Sequence, residues 1–166
     1  MKVLVTYGSQ RGGTQGLARM VAEGLHEQGF GVDLVAAKDV RGVDDYDAVI
    51  VGGALYAYRW HKDARRFVRR HAKALRQRPT YLFSSGPLDD SASTKEIEPV
   101  KGVRALMRAI DARGHATFGG RLEADAKGFP ASAMAKTSSG DWRRSDDVNK
   151  WVASIVTQLR GATKVV

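Results

Sequence analysis

The sequence predicts a three-layer α/β/α protein built on one doubly wound, five-stranded parallel sheet of order 2-1-3-4-5. Three observations carry that expectation. Short apolar runs alternate with segments of helical periodicity five times along the chain, which is how strand–helix–strand crossover units read. The run 47–52 (DAVIVG) is apolar without alternation, as expected of a strand covered on both faces. The 166 residues contain no linker and no internal repeat, so one core suffices. Right-handed crossovers leave few topologies for five strands in this length, and 2-1-3-4-5 is a common one.

Residues 2–7 are short, apolar and β-branched, and read as the first strand. Residues 14–28 carry Leu17, Met20, Val21 and Leu25 at helical spacing, with Gly29 as a stop. Residues 31–36 form the second strand and 47–52 the third. Residues 62–76 read as one helix, with Ala64, Phe67, Val68, His71, Ala72 and Leu75 along a single stripe. Strand four is 80–84, a helix follows at 100–113, and strand five starts at His115. Residues 121–145 are polar and irregular. Ser145 caps a last helix, 146–159, whose inner face holds Val148, Trp151, Val152, Ile155 and Val156. The expected organisation is one domain over 1–160, with 161–166 as a flexible tail.

Composition excludes several classes. No cysteine is present, which removes disulfide frameworks, thiolate metal sites and cysteine catalysis. The N-terminal run lacks the form of a signal peptide, and no apolar stretch approaches the roughly 20 residues of a membrane span. The reading is a cytoplasmic protein, with attachment at a membrane surface left open. The net charge of +9 arises from 27 Lys/Arg against 18 Asp/Glu. It is concentrated in residues 59–78, which hold nine basic side chains and one acid, Asp63.

In a sheet of this kind ligands bind outside the carboxyl ends of the strands, near the switch point between strands 1 and 3. The loop there is Gly8-Ser9-Gln10-Arg11-Gly12-Gly13-Thr14. Its glycines let backbone N–H groups turn inward, the helix start adds a partial positive charge, and Ser9 and Thr14 add hydroxyls. This pattern suits a phosphate, or is a glycine-rich turn with a Thr cap. It is neither a Walker loop, since the lysine is missing, nor GxGxxG.

From Tyr7 to Ala18 the sequence resembles the flavodoxin family: an aromatic residue, then Ser9, Gly12 and Thr14, with Ala18 four further on. Thr6 stands where the family usually has an apolar residue, and Arg11 where the family commonly uses neutral donors. The resemblance implies a flavodoxin-like fold with FMN as cofactor, its phosphate held by Ser9, Gln10, Arg11, Gly12, Gly13 and Thr14. It also implies a flavin-flanking aromatic in the loop 53–61, where Tyr56, Tyr58 and Trp60 are candidates beside Ala57. At least one of these aromatics is expected in the core and at least one at the pocket. His61, at the helix start, reads as a cap. The loop 84–90 is implied to run beside the ring, with Ser85 and Gly86 as contacts through backbone amides. Diffuse similarity over Val51 to Tyr58, Trp60-His61, Phe67 to Ala72, Pro79 to Ser85 and Asp141-Trp142 resembles the menaquinone-dependent protoporphyrinogen dehydrogenase type.

The functional expectation is therefore an FMN-dependent oxidoreductase with no side chain acting as acid or base, and no metal. The alternatives are an electron carrier for a redox partner, or a flavin-free docking module. The basic helix 62–76 reads either as a solvated face or as a surface for an anionic partner, an acidic redox protein or a quinone site at an anionic membrane. No nucleic-acid motif accompanies its charge.

Overall fold

The computed structural model describes residues 1–9, 12–86, 97–122, 140–141 and 143–163. Its elements are β1 (Lys2–Gly8), α1 (Gly13–Glu27), β2 (Gly31–Ala36), a 3-10 turn (Ala37–Asp39), β3 (Ala48–Tyr56), β4 (Arg59–Trp60), α2 (Lys62–Arg70), α3 (Ala72–Leu75), β5 (Thr80–Ser85), α4 (Lys101–Ile110), β6 (Gly114–Phe118), β7 (Arg121–Leu122), β8 (Gly140–Asp141) and α5 (Ser145–Thr163). The main sheet is parallel in the order β2-β1-β3-β5-β6, with the short β4 paired antiparallel to β3. Leaving β4 aside, this is the expected 2-1-3-4-5 order. β1 lies inside the sheet: Val3 pairs Val32 on one side and Ala48 on the other, and Gly8 pairs Gly53.

Strand side chains alternate between two cores. Val3, Val5, Ile50 and Phe83 face α1 and α5, meeting Leu17, Val21, Leu25 and Ile155. Leu4, Val49, Val51 and Leu82 face the other layer, meeting Phe67, Val68, Leu75, Leu106 and Ile110. Full burial of such side chains contributes roughly 1.5–3 kcal/mol each, which is why the apolar stripes of the sequence so nearly coincide with the helices.

Several boundaries differ from expectation. The helix expected over 62–76 is interrupted at His71 (φ −103°, ψ 15°). The His71 ring lies 4.9 Å from that of Phe67, while the His71 N–H still bonds the Phe67 carbonyl at 3.0 Å. The helix expected to reach 113 stops at Ile110, because Asp111 turns left-handed (φ 54°) as its C-cap. Residues 121–122 pair with 140–141 inside the stretch expected to be irregular. α5 continues to Thr163, three residues into the expected tail. Trp142 and residues 164–166 lie outside the described residues.

Candidate functional site

The carboxyl ends of β1, β3 and β5 converge on the first turn of α1. Gly12 is the N-cap of that helix, in the left-handed region at φ 78°, a conformation open to glycine and strained for most other residues. Its N–H is held by Ser9 Oγ at 3.2 Å. No side chain caps the helix and its first turn holds no acid, so the helix's positive end is left without a protein anion among the described residues. Thr14 is 1% exposed. Its Oγ1 lies 2.6 Å from Ser85 Oγ, a bond between residues 71 apart in sequence. One proton serves that pair, so the second hydroxyl proton remains available to donate. Gln10 and Arg11 lie outside the described residues.

A Cβ on Gly8 would meet the Ala64 backbone N at 2.7 Å and His61 Nδ1 at 2.9 Å. The start of α2 therefore closes directly on the end of β1. His61 is the N-cap of α2: its Nδ1 accepts from the Asp63 N–H at 3.1 Å. Burial lowers its pKa; Asp63 opposes that shift, while Lys62 and Arg65 add to it. A neutral ring accepting at Nδ1 carries its proton on Nε2. The expected capping role of His61 is the observed one.

The loop after β3 is a hairpin. Leu55 pairs Trp60 and Tyr56 pairs Arg59, so Ala57 and Tyr58 form a two-residue turn. Both have positive φ, 49° and 62°, the geometry of a type I′ turn in which Asn-Gly is favoured. The three aromatics consequently part company. Tyr58 stands at the tip, 87% exposed, Tyr56 is half-buried, and Trp60 is 3% exposed in the core. The Trp60 indole lies on the Cα of Gly53, where any Cβ would overlap it. Trp60 is thus corrected from stacking candidate to core residue; a β-pair directed inward holds it there.

Ser85 and Gly86 end β5 at the same rim. The Gly86 N–H is bonded to the Phe118 carbonyl at 3.2 Å. It therefore extends the sheet and does not offer the free amide to a ring that the resemblance implies. Residues 87–90 of the same loop lie outside the described residues. On the opposite face Ser84 Oγ and His115 Nε2 are 2.9 Å apart, and burial pushes the His115 pKa down to about 4.

Two features were not legible in the sequence. The Thr14–Ser85 bond joins distant segments with no shared motif. Arg143 holds the Asp141 carboxylate through Nε at 2.9 Å and Nη2 at 2.7 Å, and its guanidinium occupies the space a side chain at position 16 would need. It fastens the approach to α5 onto the first turns of α1.

These features define a class: a doubly wound α/β protein with an uncapped, acid-free helix start at the switch point of its sheet and an aromatic hairpin after β3. The chain belongs to the Flavodoxin domain family, which it matches over residues 4–137. It is 27% identical over 86 residues to the protoporphyrinogen IX dehydrogenase [quinone] of Escherichia coli K12, covering 51% of this chain and 48% of that one. The chain thus matches about half the length of that curated relative. Among solved structures it is similar to a cysteine-to-serine mutant of the flavodoxin from Pseudomonas aeruginosa (TM-score 0.64, 15% identity, 96% and 99% of the two chains). It is also similar to the two-electron reduced flavodoxin of Megasphaera elsdenii (TM-score 0.59, 17% identity, 93% and 99%). These structural likenesses establish the fold. Family membership indicates FMN as the cofactor of this fold. The uncapped, acid-free start of α1 and the buried hydroxyl pair fit the phosphate of that group. Among the described residues no helix is long and apolar enough to cross a membrane.

Proposed function

We propose that the protein is an FMN-dependent oxidoreductase that oxidises a protoporphyrinogen-type substrate and delivers the electrons to a quinone. The observation that carries the flavin part is the first turn of α1, uncapped and free of acids, with the Thr14–Ser85 hydroxyl pair at its side. Ser9, Gln10, Arg11, Gly12, Gly13 and Thr14 hold the phosphate. Tyr58, with Tyr56 behind it, flanks the ring, and Ala57, Ser85 and Gly86 border it. FMN, when bound, supplies the electron and hydride chemistry, so the chain's own residues only bind, orient and exclude water. The substrate part is supported by the similarity to the quinone-linked dehydrogenase. The basic face of α2 begins beside this rim and faces the redox partner.

FMN added to purified protein is expected to lose fluorescence on binding at micromolar concentration, and the loaded protein to reduce menaquinone analogues when given protoporphyrinogen. Thr14→Leu fills the cradle and removes the hydroxyl, and is expected to weaken FMN at least about tenfold, roughly one charge-assisted hydrogen bond. Absence of FMN binding, or undiminished affinity in Thr14→Leu, overturns the site. A second reading, a simple electron carrier, is favoured by the match to nearly the full length of two flavodoxins. Flavin binding without quinone-dependent turnover selects it.

A further inference from the structure

The charge on α2 is not spread evenly over a convex surface. Between the 3-10 turn 37–39 and α2 lies a groove of about 420 Å³. Lys38 enters it from the turn, Arg66, Arg69 and Arg70 from the helix, and His71 closes its far end, with Asp63 at the near end. Four permanent cations thus meet one carboxylate. The Asp63 carboxylate lies 3.9 Å from His61 Nδ1, and among the described residues none of the four cations has an ion-pair partner. His71 Nε2 is buried and has no hydrogen-bond partner. Burial, with Arg70 adding, pulls the His71 pKa down against the pull of Asp44, so the ring is a neutral polar contact there.

Arg66 and Arg70 are i, i+4 neighbours and Arg66 and Arg69 are i, i+3 neighbours, spacings at which like charges repel. Lys38, from a different element, adds to that repulsion. We propose that this groove is a binding site for a phosphate group, distinct from the cradle at α1, with which it shares no residue. Guanidinium forks present paired N–H donors that match phosphate oxygens, and a dianion offsets more of the excess charge than a single carboxylate does. The groove is larger than one phosphate, so the group is presented by a larger bearer: a soluble phosphorylated metabolite or a phosphomonoester lipid headgroup, which offer the same oxygens. The proposal does not depend on the flavin reading.

The test titrates pyrophosphate into the full chain by calorimetry, at fixed ionic strength and with saturating FMN present to occupy the α1 cradle, with acetate as the control anion. One saturable site per chain is expected, with acetate weaker. Lys38→Glu with Arg70→Glu is expected to weaken it at least about tenfold. Lys62→Glu with Lys73→Glu makes the same charge change on exposed residues outside the groove and is expected to matter much less, because exposed charges are screened over about 10 Å at 0.1 M salt. Equal weakening by the two pairs means diffuse attraction and overturns the site, as does the absence of saturable binding. Pyrophosphate binding seen only when FMN is left out means that the anion occupies the α1 cradle and also overturns it. Circular dichroism checks that both variants fold. Sedimentation with phosphatidylcholine vesicles carrying phosphatidate assigns the source. Pelleting lost only in the Lys38/Arg70 variant supports a lipid headgroup, and pyrophosphate binding without pelleting supports a soluble ligand.

Discussion

The imidazole of His115 shares a 2.9 Å hydrogen bond with Ser84 Oγ, and burial pulls its pKa from 6.5 to about 4. The folded protein therefore takes up this proton less readily than the unfolded chain. Between pH 6.5 and 4 the unfolded state binds more protons, so stability falls as pH drops through that window and is fully present above it. His61 and His71, also lowered, act in the same direction. The expected loss from His115 between pH 7 and pH 5 is about 2 kcal/mol. Urea midpoints at the two pH values check it, and His115→Gln, which cannot titrate, should flatten the difference by about that amount. The same scale separates the three aromatics near the site. Tyr56, Tyr58 and Trp60 are equally aromatic candidates in the sequence, yet one is half-buried, one exposed and one in the core.

At the scale of the element, the hairpin linking β3 and β4 is the least expected feature. Its turn places Ala57 and Tyr58 at positive φ, where an L-residue with a side chain is strained by roughly 1–2 kcal/mol. No Asn-Gly or Asp-Gly advertises it, so the sequence reads only as a loop. The double substitution Ala57→Asn with Tyr58→Gly should raise stability by about 1–2 kcal/mol in urea unfolding. It should also weaken FMN binding, because the exposed ring goes with it. A variant that is both more stable and unchanged in flavin affinity would remove Tyr58 from the site. The helix of 62–76 shows a milder departure. Its apolar stripe and basic face are as the periodicity implied, but it breaks at His71 without proline or glycine, around a ring contact with Phe67.

Across the whole molecule, the +9 charge belongs mainly to one region, and the structure divides even that region. Arg78 is drawn inward, its guanidinium hydrogen-bonded to the carbonyls of Ala74, Val43 and Tyr46, and Arg76 donates to the Ala109 carbonyl. Both tie the α2–α3 layer to its neighbours. The exposed cations of α2 remain for an outside anion. Ligand binding that bridges β1, β3 and β5 should stabilise the entire fold. At an FMN concentration about 100-fold above Kd the gain is about 2.7 kcal/mol, which for a chain of this size raises Tm by about 5–10 °C. Melting curves with and without FMN check it, and Thr14→Leu should show a smaller rise at the same FMN concentration.

The five strands of the main sheet, the apolar stripes of the long helices, their order and the position of the switch-point loop were set locally. Val3 and Val5 against Leu4, or Leu17, Val21 and Leu25 on one stripe, carry their periodicity in adjacent residues, and right-handed crossovers leave little choice of topology. The loop 8–14 was readable for the same reason, as were the cap at His61 and the concentration of charge at 59–78. What the chain does with residues distant in sequence was decided only by packing. Thr14 meets Ser85 because α1 and β5 end at one rim. Trp60 goes inward because its strand pairs back on β3, over Gly53. Lys38 joins Arg66 and Arg70 because the turn after β2 lies against α2. Such contacts depend on where two separately specified elements come to rest, and no local pattern encodes that distance.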